Sequence, residues 1–352
     1  MMERPWFLKT WAEPAARPSG SRGWAIVWGL TGILGVFLAL QAFWIFTAAP
    51  ALQTGPRIVE IPAHLGLTTV ARRLDDAGVI RSPLGFMLLA VARGTARALK
   101  AGEYEVPQGA NTLAVLGLLE GGRVRQHPVL FREGDTLADL AVALERERLS
   151  RADDILRVAR DPIFLKTLDV SAENLEGYLF PDTYQLVKGM TPEEILARMA
   201  ARMRDHITPE ILERARALDI TVHQLLTLAS IIEKEAVVRA EMPLISAVFW
   251  NRMKRGMPLQ ADPTVQFAVG KDGRALSRAD LQVDSPYNTY RRGGLPPGPI
   301  ASPGRAAIEA AVKPAGVRYL YFVSIDDRRH HFSTTLAEHN AAVAQYRLSK
   351  LR

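Results

Sequence analysis

The 352-residue sequence contains no cysteine, which removes disulfide scaffolds, thiolate zinc sites, cysteine nucleophiles and iron–sulfur clusters together. Stability must come from packing. HExxH, GxSxG and P-loop strings are also missing, so zinc hydrolysis, acyl transfer and nucleotide hydrolysis have no anchor in it. The histidines at 64, 127, 206, 223, 330, 331 and 339 read as surface residues, and His330 and His331 on a strand would face opposite sides. No metal or cofactor is expected. The net charge is +7 with a pI near 9.7, but basic and acidic residues alternate and form no long arm, so a nucleic-acid partner is not expected.

What is present is ordinary globular sequence, 48% hydrophobic and 23% charged, with length for two or three domains. Residues 24–48 hold 25 positions without one ionisable side chain, long enough to cross a hydrocarbon core of about 30 Å. A cleaved signal ending near Thr47-Ala48-Ala49 is the alternative, although signal peptides have shorter apolar regions. Arg4, Lys9, Arg17 and Arg22 precede the run and only Arg57 follows closely. The positive-inside bias therefore predicts a cytoplasmic tail over residues 1–23 and an extracytoplasmic or periplasmic remainder.

Beyond the run, three segments repeat loosely: RIVEIPAHLGLTTVARRLDDAG, YEVPQGANTLAVLGLLEGG and VLFREGDTLADLAVALERE. Each predicts a short strand, a turn and a brief helix. Between the first two, Ser82-Pro83 is an N-cap with proline at the first helical position. GDTLADLA, residues 134–141, resembles the opening of LysM modules, which bind glycans containing N-acetylglucosamine; helix capping alone would produce the same string.

Residues 175–186, LEGYLFPDTYQL, contain a helix-breaking Gly177 and Pro181, placing Glu176, Tyr178, Phe180, Asp182 and Tyr184 on an extended loop or edge strand. Carboxylates beside aromatic faces suit sugar rings, since acids accept hydroxyl hydrogen bonds while rings cover C–H patches. A packed loop with surface acids is the competing reading.

Residues 221–237, TVHQLLTLASIIEKEAV, have helical periodicity with Leu225, Leu228, Ile231 and Ile232 on one stripe. At about 100° per residue Glu235 falls between Leu228 and Ile231 on the buried side, whereas Glu233 faces solvent or an ion pair. Desolvation would raise the pKa of Glu235 toward the range of a proton donor at neutral pH. A structural, ion-paired glutamate is the alternative. Downstream, prolines at 263, 286, 296, 297 and 299 restrict the loops that carry Gln260, Asp262, Tyr287, Asn288 and Tyr290, aiming them around a cleft. The closing RYLYFVSIDDRRHHFST predicts a hairpin, followed by a helix over 336–348.

Taken in order, LEGYLFPDTY, SIIEKE, MPLQADPTV, SPYNTY, GLPPGPIASPG and YLYFV after one apolar run resemble the YceG/MltG family of membrane-anchored endolytic murein transglycosylases. The resemblance implies an α+β fold: a transmembrane helix at 24–48, a small LysM-like domain over 57–150 and a catalytic domain over 151–352. It also implies a single-pass protein of the inner membrane that cuts nascent peptidoglycan between N-acetylmuramic acid and N-acetylglucosamine, leaves 1,6-anhydro ends, and associates with peptidoglycan synthases in strand termination. The family's catalytic glutamate aligns with Glu235. Gln260, Asp262, Tyr287, Asn288 and Tyr290, then Glu176, Asp182 and Tyr184, are the substrate-binding candidates. Two rivals stay open: a water-using muramidase with Asp262 as second carboxylate, and a non-enzymatic glycan-binding scaffold.

Overall fold

A computed structural model describes residues 21–47, 55–62, 64–325 and 329–349; residues 1–20 of the tail expected at 1–23 and the Ala48-Ala49 part of a cleavage site lie outside them. By packing, the chain divides into two compact units, Met1–Arg125 and Gln126–Arg352.

The first unit runs α1 (Ser21–Phe46), β1 (Arg57–Ile61), α2 (Leu67–Asp76), α3 (Pro83–Ala92), β2 (Gly102–Val106) and α4 (Thr112–Gly121). β1 and β2 pair antiparallel with Val59 opposite Tyr104, and their inward side chains join Leu74, Phe86 and Leu116 in one core. α3 starts as its sequence predicts: Ser82 Oγ accepts from the Gly85 amide at 3.0 Å, and Pro83 needs no donor at the first turn. α4 opens on Asn111, whose Oδ1 accepts from the Ala114 amide at 2.9 Å. It closes on Gly122 at φ 61°, the left-handed conformation that glycine reaches without a Cβ penalty.

The second unit continues with β3 (Gln126–Phe131), α5 (Leu137–Arg146), α6 (Ala152–Val158), α7 (Pro162–Thr167), β4 (Asp182–Val187), α8 (Pro192–His206), α9 (Pro209–Ala217), α10 (Val222–Glu235) and α11 (Met242–Lys254). α12 (Asp262–Ala268), α13 (Arg305–Val312), β5 (Tyr321–Ser324), β6 (His330–Ser333) and α14 (Leu336–Ser349) complete it. Helices and two-stranded antiparallel sheets are thus mixed, as the α+β expectation has it. Each repeat copy forms a strand and a helix; the first two copies fall in the first unit and the third in the second. β3 pairs with β4, placing Val129 opposite Tyr184. The division between the two compact units falls between Arg125 and Gln126, ahead of the third copy.

Two cores fill this unit. One joins Phe131, Leu140, Leu144, Leu186 and Ile195. The other surrounds α10, where Leu225, Leu228, Ile231 and Ile232 meet Ile245 and Phe249 of α11 and Ile308 of α13; each such side chain contributes about 1.5–3 kcal/mol by leaving water. A capping box starts α10, with Thr221 Oγ1 accepting from the Gln224 amide and Gln224 Oε1 from the Thr221 amide. The helix ends because Ala236 turns to extended backbone (φ −82°, ψ 117°), which leaves Glu235 as its final residue.

Candidate active site

Glu235 is half-buried as a residue, and the packing around its carboxyl disfavours the charged form. Burial, followed by the negative charge of Asp262, pushes its pKa up to about 8, against a lowering pull from Arg252. The negative end of the α10 dipole also disfavours a carboxylate there. At neutral pH the group is mainly a neutral acid, able to donate a proton and then accept one.

The groups around it come from two connected loops. Asp262 opens α12, and its Oδ1 accepts a short hydrogen bond of 2.5 Å from the Tyr290 hydroxyl. That bond, burial and the carboxylate charges hold the Tyr290 phenol protonated, with burial the largest cause. Gln260 sits at φ 50°, a conformation uncommon for residues other than glycine and costly enough to need support. The support is a bond from its amide to the Thr289 carbonyl at 3.1 Å and from Arg252 Nη1 to its Oε1 at 3.3 Å. Arg252 is nearly buried and donates to the carbonyls of Leu320 and Leu259, each at 2.7 Å. Its guanidinium lies 5.2 Å from the Tyr321 ring centre.

The other sequence candidates lie elsewhere. Asn288 is fully buried: its Nδ2 donates to the carbonyls of Leu281 and Val283 and its Oδ1 accepts from the Tyr290 amide. It braces the turn and presents no face to a substrate. Tyr184 points into the core, with its hydroxyl donating to the Phe180 carbonyl at 2.6 Å. Asp182 begins β4, where its carboxylate accepts from Arg202 Nε at 3.1 Å and from the Thr183 amide. Glu176 and Tyr287 share a cavity of about 360 Å³ with His223 and Pro297–Pro299. Both Glu176 oxygens accept from the Leu137 amide at the start of α5, and burial still pushes its pKa up to about 7.

Three further expectations are corrected. Glu233, expected to face solvent or an ion pair, is half-buried, and its Oε2 accepts instead from the Gly304 amide at 2.9 Å at the N-terminus of α13. His223 is no free surface residue, because Nε2 meets the Pro297 carbonyl at 2.6 Å and Nδ1 meets the Tyr178 hydroxyl at 2.7 Å. His330 Nδ1 likewise meets Glu241 at 2.7 Å. The GDTL turn docks on the end of α10: the Gly134 carbonyl accepts from Lys234 Nζ at 3.2 Å, and its amide donates to the Ser302 carbonyl at 2.9 Å. Among the described residues no three His, Asp or Glu side chains are grouped to hold a metal ion.

With this geometry on α10, α12 and their loops, the sequence profile of the YceG-like family matches residues 59–345. The chain belongs to the YceG-like family. It is 34% identical over 307 residues to an endolytic murein transglycosylase of Bacillus subtilis strain 168, covering 83% of this chain and 85% of the relative. A protein of the same name from Streptococcus pneumoniae strain D39 is 32% identical over 325 residues, and the match spans 59% of that longer chain. The crystal structure of a YceG-like protein of Listeria monocytogenes superposes with a TM-score of 0.58 at 34% identity, covering 82% of this chain and 99% of the other.

In this YceG-like chain the residue that sequence reasoning passed over is Arg252. The signal was available, since Arg252 follows Ile245 and Phe249 by seven and three positions and so falls on the apolar stripe of α11. A charge on such a stripe needs a reason to be there, the same cue that singled out Glu235. For Glu233 and His223 no comparable cue exists, because their partners lie in loops 45 to 74 positions away.

Proposed function

We propose that this chain is an endolytic lytic transglycosylase of peptidoglycan, with Glu235 as its single acid and base. The observation that carries the reading is a carboxyl at the end of α10 whose desolvation and Asp262 neighbour hold it protonated at neutral pH. The proton of Glu235 passes to the glycosidic oxygen between N-acetylmuramic acid and N-acetylglucosamine as the C1–O bond breaks. The resulting carboxylate takes the proton of the muramoyl C6 hydroxyl as that oxygen bonds to C1, closing a 1,6-anhydro ring. No water is consumed, and the acid returns to its starting state. Tyr290, Gln260 and Asp262 position the glycan, and Arg252 steadies the carboxylate formed midway.

α1 is the helix among the described residues with the length and hydropathy to cross a membrane. We read it as an uncleaved anchor with the N-terminus in the cytoplasm, holding the enzyme beside nascent strands and their synthases, where cutting sets strand length. Glycan contact by the LysM-like segment belongs to the same reading, although the engaged Gly134 groups favour a bracing role for the GDTL turn.

A second reading is favoured by the proximity of Asp262, a carboxylate able to activate water as a muramidase would. Digestion of isolated sacculi and nascent glycan by the purified full chain, with E235Q in parallel, separates the outcomes by mass spectrometry. Anhydro ends support the transglycosylase, reducing ends support the muramidase, and unchanged cleavage by E235Q overturns both.

A further inference from the structure

α3 is an apolar helix that faces three ways. Phe86 and Ala90 enter the core of the first unit. Gly85 faces α1, where an added Cβ would stand 3.2 Å from Gln41 Oε1. Leu84, Leu88 and Val91 are 41%, 42% and 62% exposed. Their spacing of four and three residues makes one stripe, and at about 100° per residue it flanks the Gly85 direction on the side opposite Phe86 and Ala90. The helix has no charged residue in its ten positions.

The depth of this stripe is fixed by α1. Gln41 lies inside the apolar span Trp24–Phe46 and is buried, with its Oε1 accepting from the Ser82 hydroxyl at 2.8 Å. Five residues separate it from Phe46, or about 7.5 Å of helix rise. An amide inside lipid must find an internal partner, and the N-terminus of α3 supplies it. The final carbonyls of α1 are tied in the same way: Asn111 Nδ2 donates to Phe46 and Thr112 Oγ1 to Trp44, at 3.3 and 3.5 Å. α3 is therefore fastened alongside the last turns of the span.

Resting on the anchor reading above, we propose that α3 is a membrane-interface helix whose Leu84, Leu88 and Val91 stripe enters the acyl-chain boundary of the leaflet from which α1 emerges. The occupant of this otherwise exposed apolar face is lipid. Attachment then rests on two helices, and the first unit is held at a set tilt rather than swinging on a single tether.

The chain has no native cysteine, so L84C, L88C, V91C, I33C on α1 and V142C on α5 each carry one thiol for an environment-sensitive fluorophore. The full chain is reconstituted into phosphatidylethanolamine–phosphatidylglycerol vesicles, with and without brominated acyl chains. Blue-shifted emission and bromine quenching at 84, 88 and 91 approaching that at 33, with none at 142, is the expected result. Quenching at 33 with 84, 88 and 91 as wet as 142 overturns the interface helix and leaves the anchor standing. Water at 33 as well overturns the anchor, and the proposal with it.

Discussion

Two stretches of the second unit look alike on paper and do opposite things. Residues 175–186 and the pair of loops carrying 260–262 and 287–290 are both rich in tyrosine, acids and proline. In the first, polar ends are absorbed by the fold: Tyr184 bonds Phe180, Asp182 pairs with Arg202, and Glu176 receives the Leu137 amide. In the second, Asp262, Tyr290 and Gln260 gather with Arg252 near the end of α10. Residue type therefore says little about use until the backbone path sets each side chain's direction.

The sharpest way to break this contrast is E235Q. We expect a loss of about 10²- to 10⁴-fold in glycan cleavage, the usual scale for a general acid, read by product release from sacculi. The pH profile sharpens it further. In the proposed mechanism Glu235 acts in its protonated form, so activity should hold up to about pH 8 and fall above it. D262N removes a charge that raises this pKa, so the alkaline limb should move to lower pH.

Stability obeys the same linkage. The folded pKa of about 8 exceeds the ordinary 4.5, so the folded state binds the extra proton between those values, and wild-type stability falls as pH rises through about 8. E235Q has no such proton. Its melting temperature should gain on wild type as pH rises through this window, and equal pH slopes would contradict the assigned burial.

N288A comes next. It removes the partner of the part-buried carbonyls of Leu281 and Val283 and of the Tyr290 amide, at about 1 kcal/mol for each lost bond. Denaturant melts should show a clear loss, with cleavage reduced through a misplaced Tyr290. Y184F strands the buried Phe180 carbonyl, at about 1–3 kcal/mol, and should leave cleavage unchanged once the protein is folded. Smallest is D182N: the part-exposed pair with Arg202 is worth under about 1 kcal/mol. A marked fall in cleavage with either of these last two would erase the distinction between the stretches.

Much of the scaffold was legible because its signals are local. The Ser82-Pro83 start of α3, the β5–β6 hairpin and the strand-then-helix repeats all follow from neighbouring residues. Glu235 was legible for a related reason, since helical periodicity projects a residue onto a face without knowledge of what that face meets. β3 pairing with β4 was not, because the pairing joins segments separated by three helices. Nor was the burial of Asn288 and Tyr184, which residue type left open.

The order of residues by itself determined the apolar first helix, the mixture of short strands and helices, and one acid set on an oily helical stripe, since each depends only on nearest-neighbour sterics and periodicity. Tertiary structure decided which polar side chains gather around Glu235 and which bond within the frame. Those roles depend on what lies opposite a side chain after distant segments pack, and on how much water the packing leaves there.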